Sequence, residues 1–170
     1  MKVIAIGGEP GSGKTSLMRK IINKFELNPK YDQFKLVPYL HNNKYYVLGK
    51  YEEGEVFSGT DRMSMAVQPE AVKFLASVPK DSVILFEGDR LFNTSFLEHC
   101  VENYDTNIVY LSTDKEVRIE RYKERVERVK EEISDVVEIA KQLNPQIKDV
   151  AEAASGKSKS RKGRKPAPKK

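Results

Sequence analysis

Apolar runs alternate with longer amphipathic stretches along most of the chain. The runs at residues 2–6, 82–86 and 107–111 are almost continuously apolar rather than alternating. Continuous runs of this length are typical of parallel strands that are covered on both faces of a sheet. The pattern therefore predicts three buried strands, with the chain between them forming the outer layers.

The stretches between these runs predict helices and one hairpin. Proline, glycine and polar clusters delimit the helices, which we expect at residues 14–25, 69–77, 94–101 and 114–143. Residues 34–40 are predicted to be extended, and residues 44–51 to form a strand that residues 52–57 turn back as a hairpin. Strands that alternate with helices predict an α/β fold with a parallel sheet.

Composition divides the chain into a folded body and a basic tail. The net charge is +5, but residues 155–170 carry eight lysines and arginines and no acid, so residues 1–154 carry a net charge of −3. The tail is also rich in serine, glycine and proline and has no face that could pack, which predicts disorder. We expect one domain at 1–153 and a tail at 154–170, and the charge asymmetry suggests contact with nucleic acid.

Several features bear on where the protein works. No apolar run approaches the ~20 residues that span a bilayer, and the N-terminus enters a strand directly, so neither a membrane partner nor a signal peptide is expected. Cys100 is the single cysteine and fits a reducing compartment. The prediction is a cytoplasmic protein.

The sequence GEPGSGKT lies between the first predicted strand and the first predicted helix. It has the pattern G-x-x-x-x-G-K-[ST], whose glycines let successive N–H groups surround a phosphate at a helix N-terminus. The lysine supplies a charge for the β- and γ-phosphates, and the following hydroxyl is suited to Mg²⁺. The predicted nucleotide-binding residues are Gly8, Glu9, Pro10, Gly11, Ser12, Gly13, Lys14, Thr15 and Ser16.

Two Asp-Arg pairs are the second group of candidate residues. Asp61-Arg62 precedes a predicted helix, and Asp89-Arg90 follows the strand at 82–86, at the edge where open α/β sheets bind ligands. Arginine suits phosphate recognition, so Arg90 and Arg62 are candidates for the substrate side, with Asp61 beside them. Glu87 or Asp89 could hold water on Mg²⁺ or act as general base, and the pattern leaves the choice open.

Arginines also recur along the last predicted helix. Arg118, Arg121, Arg125 and Arg128 are spaced by three or four residues and share one face. Because glutamates interleave with them, the simplest interpretation is a solvated helix with many ion pairs. The functional alternative is that Arg121 and Arg125 reach the transferred phosphoryl group.

These motifs, in this order, resemble the nucleoside-monophosphate kinases of the thymidylate-kinase type over residues 2–128. The resemblance implies a P-loop kinase three-layer sandwich, in which Arg62 contacts substrate, Asp89 and Arg90 position the acceptor, and Arg121 and Arg125 serve as lid arginines. GTDRMSMAVQP and ILFEGDRLFN are more similar to small phage-encoded P-loop kinases, some of which phosphorylate 5-hydroxymethyluracil within DNA.

The sequence thus favours a kinase that uses ATP and Mg²⁺, with Lys14, Glu87, Asp89, Arg90, Arg121 and Arg125 as catalytic candidates and Thr15 and Glu87 as metal candidates. The first choice of acceptor is 5-hydroxymethyluracil in DNA, which the basic tail would help to bind. A deoxynucleoside-monophosphate kinase and a nucleic-acid-binding P-loop ATPase are the alternatives.

Overall fold

The computed structural model describes residues 1–28, 31–52, 55 and 58–143. A six-stranded sheet and four α-helices make up most of this part of the chain. In chain order they are β1 (Lys2–Gly8), α1 (Lys14–Lys24), β2 (Asp32–Phe34), β3 (Val37–His41), β4 (Tyr45–Leu48), a 3-10 turn (Thr60–Arg62), α2 (Gln68–Ser77), β5 (Val83–Glu87), α3 (Thr94–Asn103), β6 (Asp105–Leu111) and α4 (Lys115–Leu143). The predicted helices and most of the predicted strands are present.

The sheet has the strand order β2-β3-β4-β5-β1-β6. The pairs β4–β5, β5–β1 and β1–β6 are parallel, whereas β2 and β3 add an antiparallel edge. In the register of β1 and β5, Ile6 lies opposite Glu87. The loops that follow these two strands therefore leave the sheet side by side, at the edge where α/β proteins bind ligands.

Helices cover both faces of the sheet. On one face Met18 of α1 packs with Ile6 and Leu85, and on the other the ring of Phe96 from α3 meets Phe86 edge to face. Phe74 of α2 belongs to the same second core. Alternate residues of β1 and β5 thus enter opposite cores, which is why both strands read as continuous apolar runs. The predicted α/β fold, with a mostly parallel sheet between helical layers, is confirmed.

One strand differs from the prediction. Residues 107–111 were expected to be buried, yet Ile108, Val109 and Tyr110 are 50%, 40% and 63% exposed. β6 pairs with β1 on one side, and in the part of the chain that the structure describes no strand lies on its other side. Apolar content identified the strand correctly, but it does not distinguish a central strand from an edge strand, so the predicted burial was wrong.

The predicted hairpin includes residues 53–54 and 56–57, which lie outside the described residues, as does the tail from residue 144 onward. β4 pairs instead with β3, antiparallel, and with β5, parallel.

By contacts the chain divides into a unit of residues 1–126 and a second unit from residue 127. The first holds the sheet. The described part of the second is the remainder of α4, with an ion pair between Lys130 and Glu127. No helix among the described residues is both long and apolar enough to cross a membrane.

Candidate active site

The loop between β1 and α1 has the backbone that its glycines predict. Gly8, Gly11 and Gly13 have φ values of 145°, 80° and 97°. Gly13 is the left-handed N-cap of α1, a conformation that glycine adopts without steric cost. A Cβ at Gly8 would lie 2.5 Å from the carbonyl oxygen of Leu111. Because the backbone passes this close to β6, only glycine fits at position 8. The N–H groups of the loop lie at the positive end of α1.

Lys14 lies across this loop. Its Nζ atom donates to the carbonyl oxygen of Gly8 at 2.6 Å and to that of Glu9 at 3.3 Å. The ammonium group is therefore held within the loop, at the helix N-terminus where phosphates bind. A cation beside the backbone donors of a helix N-terminus fits the polyphosphate of a nucleotide.

Thr15 and Glu87 join the P-loop to the end of β5. The Thr15 hydroxyl donates to Oε1 of Glu87 at 3.0 Å, and Glu87 is only 2% exposed. Burial raises the pKa of Glu87 to about 7, against the opposing effects of the Thr15 hydrogen bond and the charges of Lys14 and Arg125. A hydroxyl beside a carboxylate is a donor set that suits Mg²⁺ when phosphates and water complete the coordination.

The described residues contain no group of three or more histidine, cysteine, aspartate or glutamate side chains that could hold a metal ion. An ion at this position would thus depend on the bound nucleotide for most of its ligands. This is the usual situation of Mg²⁺ in P-loop sites, and the assignment of Thr15 and Glu87 as metal ligands stays a prediction.

The two Asp-Arg segments meet beside Glu87. Oδ1 of Asp61 accepts the backbone N–H of Asp89 at 2.6 Å, and the Thr60 hydroxyl donates to the carbonyl oxygen of Gly88 at 2.8 Å. Gly88 has a φ of 106°, and a Cβ there would lie 2.7 Å from Oγ1 of Thr60. The first segment therefore fixes the second, and the role of Thr60 had no signal in the sequence.

The two arginines of these segments have different surroundings. Arg62 pairs with the carboxylates of Glu52, at 2.5 Å, and Glu55, at 3.4 Å. Nε of Arg90 is buried and forms no hydrogen bond with any residue that the structure describes. A buried donor without a partner is costly, and of these two arginines Arg90 is the one that has such a donor. The partners of Arg62 were not foreseen from the sequence.

The first turns of α4 contact the P-loop. Arg121 donates to the carbonyl oxygen of Gly11 at 2.9 Å, and Arg118 donates to that of Thr113 at 3.0 Å and pairs with Glu9. These contacts bring Arg121 to the loop, while Arg125 acts through its charge on Glu87. Arg118 was not among the predicted site residues, although its spacing from Arg121 and Arg125 was a signal that could have identified it.

A cavity of about 200 Å³ opens between the P-loop and the second Asp-Arg segment. The ring of Phe92 lies against the backbone of Gly7, so that a Cβ at Gly7 would overlap it. The residues that line the cavity are Ile6, Gly7, Gly8, Lys14, Gly88, Asp89, Phe92 and Tyr110. The lining thus combines two aromatic side chains, one cation and one carboxylate.

Comparison with known proteins gives one family. A family model described as P-loop Nucleotide Kinase3 matches residues 1–159. No curated protein and no solved structure matches the chain. The family match covers the sheet, the P-loop and both Asp-Arg segments.

Proposed function

We propose a specific acceptor on the premise that this chain belongs to the P-loop nucleotide kinase 3 family and is therefore a kinase. In this proposal the protein transfers the γ-phosphoryl group of ATP to the hydroxymethyl group of 5-hydroxymethyluracil in DNA. The proposal is carried by the cavity beside the P-loop, whose lining is aromatic and carboxylate-bearing and includes no arginine among the described residues. The resemblance of the segments GTDRMSMAVQP and ILFEGDRLFN to phage kinases supports the same acceptor.

The donor side follows from the P-loop. Backbone N–H groups of the P-loop and the ammonium group of Lys14 would bind the β- and γ-phosphates, and Thr15 and Glu87 would hold Mg²⁺ or its water. The metal ion, when bound, neutralises part of the phosphate charge. Arg121 already lies against Gly11 of the loop and can turn from that carbonyl oxygen to the phosphates.

The acceptor side is the cavity. A volume of about 200 Å³ is below the ~300–1,000 Å³ of sites that enclose drug-sized ligands, so it favours a single base over a complete nucleotide. Phe92 and Tyr110 offer rings against which a pyrimidine can stack. Phosphate acceptors need cations around them, and among the described residues of this lining the one cation is Lys14, which ATP requires. These features support an uncharged hydroxyl as the acceptor.

Asp89 is the side chain best placed to accept the proton. It lines the cavity and is exposed, whereas Glu87 is buried and holds Thr15. As the hydroxymethyl oxygen bonds to the γ-phosphorus, the bond from that phosphorus to the β–γ bridging oxygen breaks, and the hydroxyl proton passes to the Asp89 carboxylate. Arg90 does not line the cavity, but it directly follows Asp89, and its guanidinium, with the unpartnered Nε, is the proposed source of charge stabilisation for the transferred group.

The proposed polymer substrate accounts for the charge asymmetry. Eight cations in residues 155–170 can neutralise backbone phosphates wherever the chain meets DNA. A base within a duplex must leave the stack to reach a pocket of this kind, and a cavity of this volume would leave the sugar and phosphates of that nucleotide outside. In this proposal the tail binds the DNA backbone, and the cavity binds the base.

The experiment is a comparison of acceptors with full-length protein and ATP labelled in the γ-phosphate. Hydroxymethyluracil-containing single strands and duplexes, thymidylate and other mononucleotides are offered in parallel, with a water-only reaction to measure hydrolysis. The proposal expects the modified DNA to have the highest kcat/KM. Preference for thymidylate would favour a mononucleotide kinase, and release of inorganic phosphate without a labelled acceptor would favour an ATPase.

A further inference from the structure

Arg62 is held by two carboxylates of the segment that follows β4. The guanidinium lies 2.5 Å from an oxygen of Glu52 and 3.4 Å from an oxygen of Glu55. The hydrogen bond from Arg62 lowers the pKa of Glu52 below its ordinary value, so Glu52 is ionised at neutral pH. Two negative charges thus face one positive charge, which leaves this group of three side chains with a net charge of −1.

The backbone next to Glu52 is fixed. Arg19 of α1 donates to the carbonyl oxygen of Glu52 at 3.1 Å and to the hydroxyl of Ser58 at 3.3 Å. Tyr51, the preceding residue, is buried, and its N–H donates to the Tyr31 hydroxyl oxygen at 2.5 Å. Glu52 therefore projects from an anchored position rather than from an unattached loop tip.

The same segment belongs to the acceptor side of the site. Arg62 directly follows Asp61, which accepts the backbone N–H of Asp89, and Lys50 pairs with Gly59 in an antiparallel bridge. The carboxylate of Glu87 lies near enough to Tyr51 for its charge to help raise the pKa of that hydroxyl, after the larger effect of burial. Arg62 and its partner Glu52 are thus linked to the cavity through Asp61, which contacts Asp89 of the lining.

We infer that Glu52 and Glu55 are specificity-determining residues, which neutralise Arg62 and so select an uncharged hydroxyl acceptor over the phosphate group of a mononucleotide. The inference rests on the proposed function. A phosphate that approaches Arg62 meets a cation already paired and an additional negative charge beside it, so electrostatic attraction gives way to repulsion. A hydroxymethyl group carries no charge and is not affected in this way.

The test uses full-length Glu52→Gln, Glu55→Gln and the double variant, because glutamine keeps the size of the side chain and removes only its charge. We expect kcat/KM for thymidylate to rise about ten-fold in the double variant, while transfer to a hydroxymethyluracil-containing single strand changes less than about two-fold. The gain should shrink as salt is raised from 50 to 500 mM, since screening weakens the repulsion that is removed. Exposed Glu102 on α3 supplies the matched control, Glu102→Gln, with no change for either acceptor.

A second comparison separates this role from a general opening of the site. Glu52→Gln combined with Arg62→Ala should lose the gain, because the released guanidinium is what attracts the phosphate. An unchanged ratio of the two acceptors in the double glutamine variant, an equal gain for both acceptors, or a gain that persists without Arg62 would each overturn the inference. If the wild-type protein transfers nothing to hydroxymethyluracil, the proposed function fails. The role of Glu52 is still decided by thymidylate affinity, which should be higher in the glutamine variants than in the wild-type protein.

Discussion

The hydroxyl of Thr15 and the carboxylate of Glu87 share a 3.0 Å hydrogen bond although 72 residues separate them. Parallel pairing of β1 and β5 makes this contact possible, because Ile6 and Glu87 lie opposite each other in the sheet. A buried carboxylate thereby meets the first turn of the helix that begins at the P-loop. This position is the basis for the proposal that Glu87 helps to hold the metal ion.

Replacement of Lys14 by alanine should abolish phosphoryl transfer and leave the fold intact. The ammonium group donates to backbone carbonyl oxygens of the P-loop and is half-buried, so its loss removes charge from the phosphate site without opening a core. We expect kcat to fall on the order of 10²–10³-fold or more. The thermal midpoint and circular dichroism should match those of Lys20→Ala, an exposed position on the same helix. Substantial remaining transfer would contradict the assigned role.

Glu87→Gln should stabilise the metal-free protein at neutral to alkaline pH while eliminating activity. Burial raises the pKa of Glu87 to about 7, so the folded state holds this proton more tightly than the unfolded state. The contribution to stability is complete below the ordinary pKa of glutamate and is lost as the pH rises to about 7. The full loss is roughly 3 kcal/mol.

Glutamine has no such titration and can still accept the Thr15 hydrogen bond through its amide oxygen. The free energy of unfolding, measured by denaturant titration without Mg²⁺, should thus differ little between the two proteins at pH 4.5. The variant should be more stable at pH 8. A difference that does not depend on pH would show that the Glu87 carboxylate is not perturbed.

Asp61 should act by positioning Asp89. Asp61→Ala removes the acceptor for the Asp89 N–H and should lower kcat for the hydroxymethyl acceptor by about 10- to 100-fold, since a small displacement of a reacting group is costly. Asp61→Asn keeps an acceptor oxygen and loses only the charge, so it should recover most of that activity. ATP affinity should be unchanged in both. Equal losses in the two variants would assign the effect to charge instead.

Local features of the site could be predicted from the sequence, whereas contacts between distant segments could not. The P-loop is one continuous motif, and its position between β1 and α1 follows from the apolar pattern. The pairing of Arg62 with Glu52, in contrast, depends on how the segment after β4 approaches the 3-10 turn, and neither residue type specifies a partner. The exposure of β6 likewise depends on its place at the sheet edge, which strand periodicity does not encode.

The basic tail should contribute to DNA binding and not to chemistry. If half of the eight cations in residues 155–170 engage phosphates, deletion of those residues should flatten the slope of log affinity against log salt by roughly 3 units. The kcat at saturating DNA and the affinity for ATP should change little. Fluorescence anisotropy with a labelled strand at several salt concentrations measures the slope, and an unchanged slope would separate the tail from DNA binding.

The central claim is that the acceptor is a base-borne hydroxymethyl group, and one pair of oligonucleotides tests it most directly. The two strands are identical except for a single 5-hydroxymethyluracil in place of thymine, and each is incubated with full-length protein, ATP and Mg²⁺. Mass spectrometry of the digested nucleosides should show one added phosphoryl group on the modified pyrimidine and none in the thymine strand. Equal labelling of both strands, or labelling confined to a terminal phosphate or sugar, would contradict the account.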